Sequence, residues 1–226
     1  MQSSLTRLKN ACVPDQTRFR ELRFGVARGC TFPINFRHHA RIYFGVYEAE
    51  VRACFEAYAH DSSCCYDVGA ANGYYSLAFA MRRPQGRIVA IEADPAVCHS
   101  LRDTVEQNPG LASRIQVLEF LMGNTTDLAA RRATLDCLVR ERSLPAPDFL
   151  KVDIEGAEYD FLAGAAEVFR RHSPKVIIEV HALDLERQCI ALLEERGYRV
   201  GVIDRRSWFP EQRGLEHNRW IYGQRI

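Results

Sequence analysis

The chain has 226 residues, 47% of them hydrophobic and 26% charged, with a formal net charge of +1. That balance excludes a disordered or fibrous protein and gives no overall field to draw in nucleic acid or an anionic membrane surface. The length suits one α/β domain with a short N-terminal extension, expected at 1–44 with the main domain at 45–226. Eight cysteines without a CxxC spacing do not form a zinc signature and read as small buried residues, with Cys64 and Cys65 alternating across a strand. No apolar run approaches the ~20 residues of a membrane helix, and MQSSLTRLKN lacks a hydrophobic stretch behind its charges, so a cytoplasmic protein with reduced thiols is expected. The arginine pairs at 82–83, 131–132, 170–171 and 205–206 read as solvated helix ends and loops.

In chain order, 19–44 reads as irregular strand pairs punctuated by Gly25, Gly29 and Pro33, and 45–59 as a helix packing before the first main strand. From residue 64 short apolar runs alternate with amphipathic ones, the pattern of parallel strands joined by crossover helices. Seven strands are expected at 64–69, 87–93, 115–121, 148–154, 175–181, 198–204 and 219–223. Helices are expected near 73–82, 95–107, 157–171 and 184–196, with a short irregular one around 127–141. Asp94-Pro95 is a capping side chain followed by a first-turn proline, and Gly197 closes the helix before it. The connection 205–218, with Trp208, Phe209 and His217, is long enough to wall a pocket together with 19–44.

The first strand runs into Asp67-Val-Gly-Ala-Ala-Asn-Gly-Tyr-Tyr-Ser76, a strand-to-helix turn of small residues that brings backbone N–H groups to a ligand. A dinucleotide fingerprint needs glycine at 69, 71 and 74, and Ala71 and Tyr74 depart from it, which disfavours a pyrophosphate cofactor. Asp67, Gly69 and Gly73 instead resemble the first motif of class I methyltransferases. The resemblance implies that the acid and the loop Gly69, Ala70, Asn72 and Gly73 meet the methionine part of S-adenosylmethionine. Glu92 ends the second strand 23 residues beyond Gly69, where a carboxylate can accept two ribose hydroxyls.

In LKVDIEGAE (150–158) Lys151 and Asp153 alternate with Leu150, Val152 and Ile154, so a lysine and an acid share one face near the carboxyl end of a strand, where open α/β sheets bind ligands. Glu155 and Glu158 follow at the start of a helix, and Glu158 alone is adequately explained by the helix dipole. DVGAANGYYS, IVAIEADP, LKVDIEGAEYDFLAGA and IIEVH, in this order, resemble the FkbM family of S-adenosylmethionine-dependent methyltransferases over residues 45–204. The resemblance implies a Rossmann-like fold with a mostly parallel seven-stranded sheet, and an activity that methylates hydroxyls of natural products or sugars. It also draws in Tyr47 and Glu48, from a Gly-x-Tyr-Glu pattern, as residues folding over the cofactor. One departure is that Gly69-Ala70 is followed by Ala71, with Asn72 a place later than the family asparagine.

Asp153, Glu155, Glu179 and His181 are the candidates for handling the acceptor proton, because strands 148–154 and 175–181 should be neighbours. His181 is favoured as the base, with Asp153 and Glu179 positioning it or the substrate, since histidine titrates near working pH. No metal ligand is assigned. The same oxygen ligands would suit a divalent cation as a less favoured alternative. Two competing functions are a nicotinamide-dependent oxidoreductase, against which Ala71 and Tyr74 argue, and a catalytically silent cofactor-binding module.

Overall fold

The structure is a computed structural model and describes residues 13–204 and 217–226. All seven expected strands form, and they lie in one sheet. β1 (Arg18–Glu21) and β2 (Thr31–Ile34) first make a separate antiparallel pair ahead of it. The sheet itself comprises β3 (Cys64–Val68), β4 (Arg87–Glu92), β5 (Ile115–Glu119), β8 (Phe149–Val152), β9 (Lys175–Val180), β10 (Tyr198–Ile203) and β11 (Arg219–Arg225). Between β5 and β8, the short strands β6 (Leu121–Met122) and β7 (Arg132–Ala133) form a separate two-stranded sheet. The order is β10-β11-β9-β8-β3-β4-β5, with β11 antiparallel to both neighbours and the pairs from β9 to β5 parallel.

The parallel strands are apolar on both faces because helices cover both. Tyr66, Val68, Leu150, Val152, Ile178 and Val180 enter one core, beneath α6 (Leu135–Glu141), α7 (Glu158–Ala163), α8 (Ala166–His172) and α9 (Leu183–Glu195). Cys65, Ile88, Ala90, Phe149, Ile177 and Trp220 enter the other. Its cover is α2 (Arg52–His60), α3 (Tyr74–Arg82) and α4 (Pro95–Glu106), together with Leu22, Val26, Phe32 and Ile34 from the N-terminal pair. Cys64 and Cys65 fall on opposite faces, as alternation requires. The remaining helices, α1 (Ala40–Tyr43) and α5 (Pro109–Ala112), are single turns.

Three elements depart from expectation for identifiable reasons. The helix expected from residue 45 begins only at Arg52, because Gly45 (φ 68°) and Glu48 (φ 44°) adopt left-handed backbone conformations that no right-handed helix tolerates. The expected helix 157–171 is two helices, α7 and α8, parted at Gly164. A Cβ there would lie 2.1 Å from the Gly123 carbonyl oxygen, and Asp136 caps the new N-terminus by accepting from Glu167 N and Val168 N, both at 2.9 Å. The region 127–141 is helical only from Leu135, where Thr134 caps it. The pair Arg82-Arg83 is not merely solvated: Arg82 bonds Glu56 at 2.6 Å and the Val26 carbonyl, and Arg83 bonds the Ser62 carbonyl at 2.7 Å. Among the described residues no helix is long and apolar enough to cross a membrane.

Candidate functional site

The site lies at the carboxyl ends of β3, β4, β8 and β9. After Val68 the chain turns through Gly69 (φ 73°), Ala71 (φ 46°) and Gly73 (φ 86°), and Gly73 caps α3. Gly69 and Ala70 both donate to the Ile91 carbonyl, at 2.9 and 3.0 Å. A side chain cannot replace the hydrogen of Gly69, since a Cβ would stand 1.8 Å from the Asp153 carbonyl oxygen. Glu92 ties the loop from the next strand: one oxygen accepts from Ala71 N at 2.9 Å and the other from Ala93 N and Asp94 N at 2.8 and 3.0 Å.

Two cavities adjoin this loop. One of about 440 Å³ is lined by Glu92, Phe120, Leu121, Met122 and Glu155. The other, about 620 Å³, is lined by Ala70, Asn72, Lys151 and, from the N-terminal region, Phe32, Arg37 and Arg41. Tyr47, Gly69, Ala71 and Asp153 belong to both walls. Asp67 reaches neither lining. It is buried under the loop, accepting from Ser76 Oγ at 2.7 Å with its other oxygen 3.7 Å from Lys151 Nζ. Burial pushes its carboxyl up, opposed by the Lys151 charge and the Ser76 bond. Glu48 is likewise buried, turned toward Tyr75 and Lys151, while its neighbour Tyr47 faces the cavities.

Lys151 is the centre of this arrangement. Its Nζ is 3.5 Å from Asp153 Oδ2 and lies 4.9 and 5.7 Å from the ring centroids of Tyr75 and Trp220. Burial alone would lower its pKa, but the carboxylates of Asp153, Asp67, Glu48 and Glu179 more than offset that and raise it. The ammonium therefore stays charged.

Asp153, Glu179 and His181 converge, with one ligand atom of each within 4.8 Å of the others. His181 Nε2 is 3.6 Å from Asp153 Oδ1, and Nδ1 is 2.5 Å from Glu158 Oε1, which also accepts from Gly156 N at 3.2 Å. Burial disfavours the imidazolium, yet the Glu158 bond and the Asp153 charge raise the His181 pKa on balance. Glu155 is exposed and lines the smaller cavity, so it stands outside this cluster.

The sequence alone did not single out Lys151 or Glu158. Glu158 is fully buried and bonded to His181, a contact the dipole explanation misses. A signal existed: Glu158, Phe161 and Leu162 share the spacing of one helix stripe, and the latter two are core residues. Of the aromatic connection expected to help wall a pocket, Trp208 and Phe209 lie outside the described residues. His217 bonds Glu186 at 2.8 Å and lines neither cavity.

Residues 129–200 match the Methyltransferase FkbM domain, which bears out the family resemblance over that segment. A ribosomal protein L11 methyltransferase of Pelotomaculum thermopropionicum is 35% identical over 80 residues, which are 35% of this chain and 24% of that protein. Methyltransferase sdnD of Sordaria araneosa is 36% identical over 73 residues, 32% of this chain and 28% of that one. The matches thus span about a quarter of the length of these curated relatives. Among solved structures, methyltransferase FkbM from Methylobacillus flagellatus KT aligns with TM-score 0.57 and 22% identity over 72% of this chain and 44% of its own. An O-methyltransferase from Bacillus cereus, solved in complex with SAH, aligns with TM-score 0.56 and 15% identity over 77% and 78%. The fold is that of class I S-adenosylmethionine-dependent methyltransferases.

Proposed function

We propose, with an FkbM methyltransferase domain over residues 129–200 as the premise, that this chain transfers a methyl group from S-adenosylmethionine to a hydroxyl of a sugar, glycan or natural product. The observation that carries the proposal is the shared wall: two cavities of ligand size meet at Tyr47, Gly69, Ala71 and Asp153. The residues fit a donor in the smaller one. Glu92 offers a carboxylate for ribose hydroxyls, Phe120, Leu121 and Met122 offer an apolar wall for a base, and Gly69 to Gly73 bring backbone close enough for the amino-acid end. The Bacillus cereus neighbour solved with SAH supports this cofactor class. The larger cavity, walled by Phe32 and residues 37–42, is left for the acceptor.

S-adenosylmethionine supplies an electrophilic methyl carbon on a sulfonium, so the protein's share is to hold an oxygen in line and exclude water, worth roughly 7–11 kcal/mol. A hydroxyl proton needs an acceptor as well. Of the acid and histidine cluster only Asp153 lines the cavities, whereas His181 Nε2 is buried behind it. We therefore assign proton acceptance to Asp153, with Lys151, Glu179 and His181 positioning it, in place of His181 as the base. Asp67 and Glu48 act from beneath, through Lys151.

Calorimetry with S-adenosylhomocysteine and, separately, with NADH tests the donor. Micromolar binding of the first and no heat from the second is expected. Failure of well-folded protein to bind either S-adenosylmethionine or its demethylated product would overturn the proposal. Mass shifts in extracts incubated with labelled S-adenosylmethionine would then identify the acceptor, and a gain on nitrogen or carbon would remove the hydroxyl assignment.

A further inference from the structure

We propose that Asp153, Glu179 and His181 form a binding site for one divalent transition-metal cation. The three side chains bring ligand atoms within 4.8 Å of one another. Two ligands of a four-coordinate ion with bonds of about 2.1 Å lie roughly 3.4 Å apart, and His181 Nε2 and Asp153 Oδ1 are already 3.6 Å apart. Clustered acids alone would not make a site, and the histidine provides the independent evidence. Its side chain is only 6% exposed, and its Nε2 is buried with no hydrogen-bond partner. Its other nitrogen is held at 2.5 Å by Glu158, a fully buried carboxylate. With Nδ1–H donated to Glu158, Nε2 is aimed at Asp153 Oδ1, so the gap between them takes either a proton on Nε2 or, in its place, a cation bound through the Nε2 lone pair. A carboxylate fixing one nitrogen of a histidine while the other binds metal is a common second layer of metal sites.

The local charge points the same way. One ammonium, Lys151, faces four carboxylates, those of Asp153, Asp67, Glu48 and Glu179. Buried negative charge of this kind is costly unless further positive charge joins it, supplied here by a proton on His181 or by a cation that replaces it. One imidazole and two carboxylates suit Mn²⁺, Zn²⁺ or Co²⁺, whereas Ca²⁺ asks for six to eight oxygens. Because Asp153 lines both cavities, the ion would sit beside the point where an acceptor hydroxyl is delivered and would polarise it. That role rests on the methyltransferase proposal; the site itself does not.

The test is Mn²⁺ alone, titrated into the chelator-stripped full chain and followed by the free-ion paramagnetic resonance signal. One saturable site per chain is expected, displaced by Zn²⁺ and not by a tenfold excess of Ca²⁺. Glu158→Gln, which keeps shape and touches no metal, should weaken binding about 10–100-fold. His181→Ala and Glu179→Gln should weaken it further, while Asp184→Asn, an exposed acid close by in sequence, should bind as wild type does. Near-ultraviolet circular dichroism establishes that each variant is folded. Absence of saturable Mn²⁺ and Zn²⁺ binding, or binding indifferent to both His181→Ala and Glu179→Gln, overturns the site. S-adenosylhomocysteine calorimetry in chelator is run in parallel: donor binding without metal binding sinks this inference alone, and metal binding without donor binding sinks only the methyltransferase proposal.

Discussion

Gly69 is where the loop, the neighbouring strand and the proposed donor meet, so replacing it with alanine tests all three. Two costs add. Its φ of 73° is left-handed, which charges an L-residue about 1–2 kcal/mol. The new Cβ would also stand 1.8 Å from the Asp153 carbonyl oxygen, more than 1 Å inside normal contact, and that oxygen is backbone that cannot swing away. Relief would have to come from parting the ends of β3 and β8, where Asp153 N donates to the Val68 carbonyl at 2.9 Å; overpacking of this kind typically costs a further ~1–3 kcal/mol. Gly156 separates the two costs, because its φ is 84° but a Cβ there meets nothing within 4 Å. At about 2–4 °C per kcal/mol for a chain of this size, Gly156→Ala should lower Tm by about 2–8 °C and Gly69→Ala by about 4–20 °C. Gly69→Ala should also weaken S-adenosylhomocysteine binding at least tenfold by calorimetry. Equal Tm losses in the two variants, with donor affinity intact in both, would refute the close approach and with it the loop as the donor's cradle.

Three further outcomes are expected. Glu92→Ala removes the acceptor of three backbone N–H groups along with the proposed ribose carboxylate, so S-adenosylhomocysteine affinity should fall at least tenfold; calorimetry showing unchanged affinity would reject Glu92 as a donor contact. Lys151→Met strands buried carboxylates, and breaking a buried pair costs about 3–5 kcal/mol; a Tm loss under about 3 °C would mean that the lysine does not neutralise them. Glu186 is desolvated, which raises its pKa, but bonds from Arg219 at 2.6 and 2.9 Å and His217 at 2.8 Å prevail and lower it. A depressed carboxyl contributes stability that is present above its ordinary value of 4.5 and lost as pH falls through the folded value. Urea titrations of Glu186→Gln should therefore show a loss of about 1–3 kcal/mol at neutral pH that shrinks in acid, and a pH-independent difference would assign the effect to packing.

The strands were legible because parallel strands buried on both faces appear as short, predominantly apolar runs, and VIIEV and FLKV are such runs, each broken by a single charge. The neighbouring of β8 and β9 was legible too, and their register pairs Lys151 with Ile177. Helix limits were less so. Gly45 was the local hint against a helical turn at 45–51, whereas the left-handed backbone of Glu48, whose buried side chain lies toward Tyr75 and Lys151, has no local signal. The break at Gly164 is imposed by the Gly123 carbonyl, more than forty residues away, which no periodicity can show. Lys151 was visible as a lysine on one face of a strand. That the face is buried follows only once Phe149, two residues earlier on the same side, is recognised as core.

Strand register explains why some motif acids meet ligand space and others do not. Along β8, Phe149, Lys151 and Asp153 share a face, and the pairing sets Phe149 beside Cys65 and Lys175, then Lys151 beside Asp67 and Ile177. Continued by two residues, about 6.6 Å, the same register sets Asp153 between Gly69 and Glu179, consistent with the Asp153 N to Val68 bond and the contact over Gly69. The first row thus carries one charged residue, Lys175, and each of the next two carries two. Asp67 belongs to the lower charged row, sealed beneath the loop, and so can act on a ligand only through Lys151. Asp153 occupies the next row up, beside Gly69 just past the end of β3, and both line the two cavities. His181 lies one step above Glu179, which lets its imidazole lean back over Asp153 while Glu158 anchors it from α7. A single change of register by one residue would send Lys151 and Asp153 into the opposite core, so the apolar pattern of β8 that builds the fold is also what aims its chemistry.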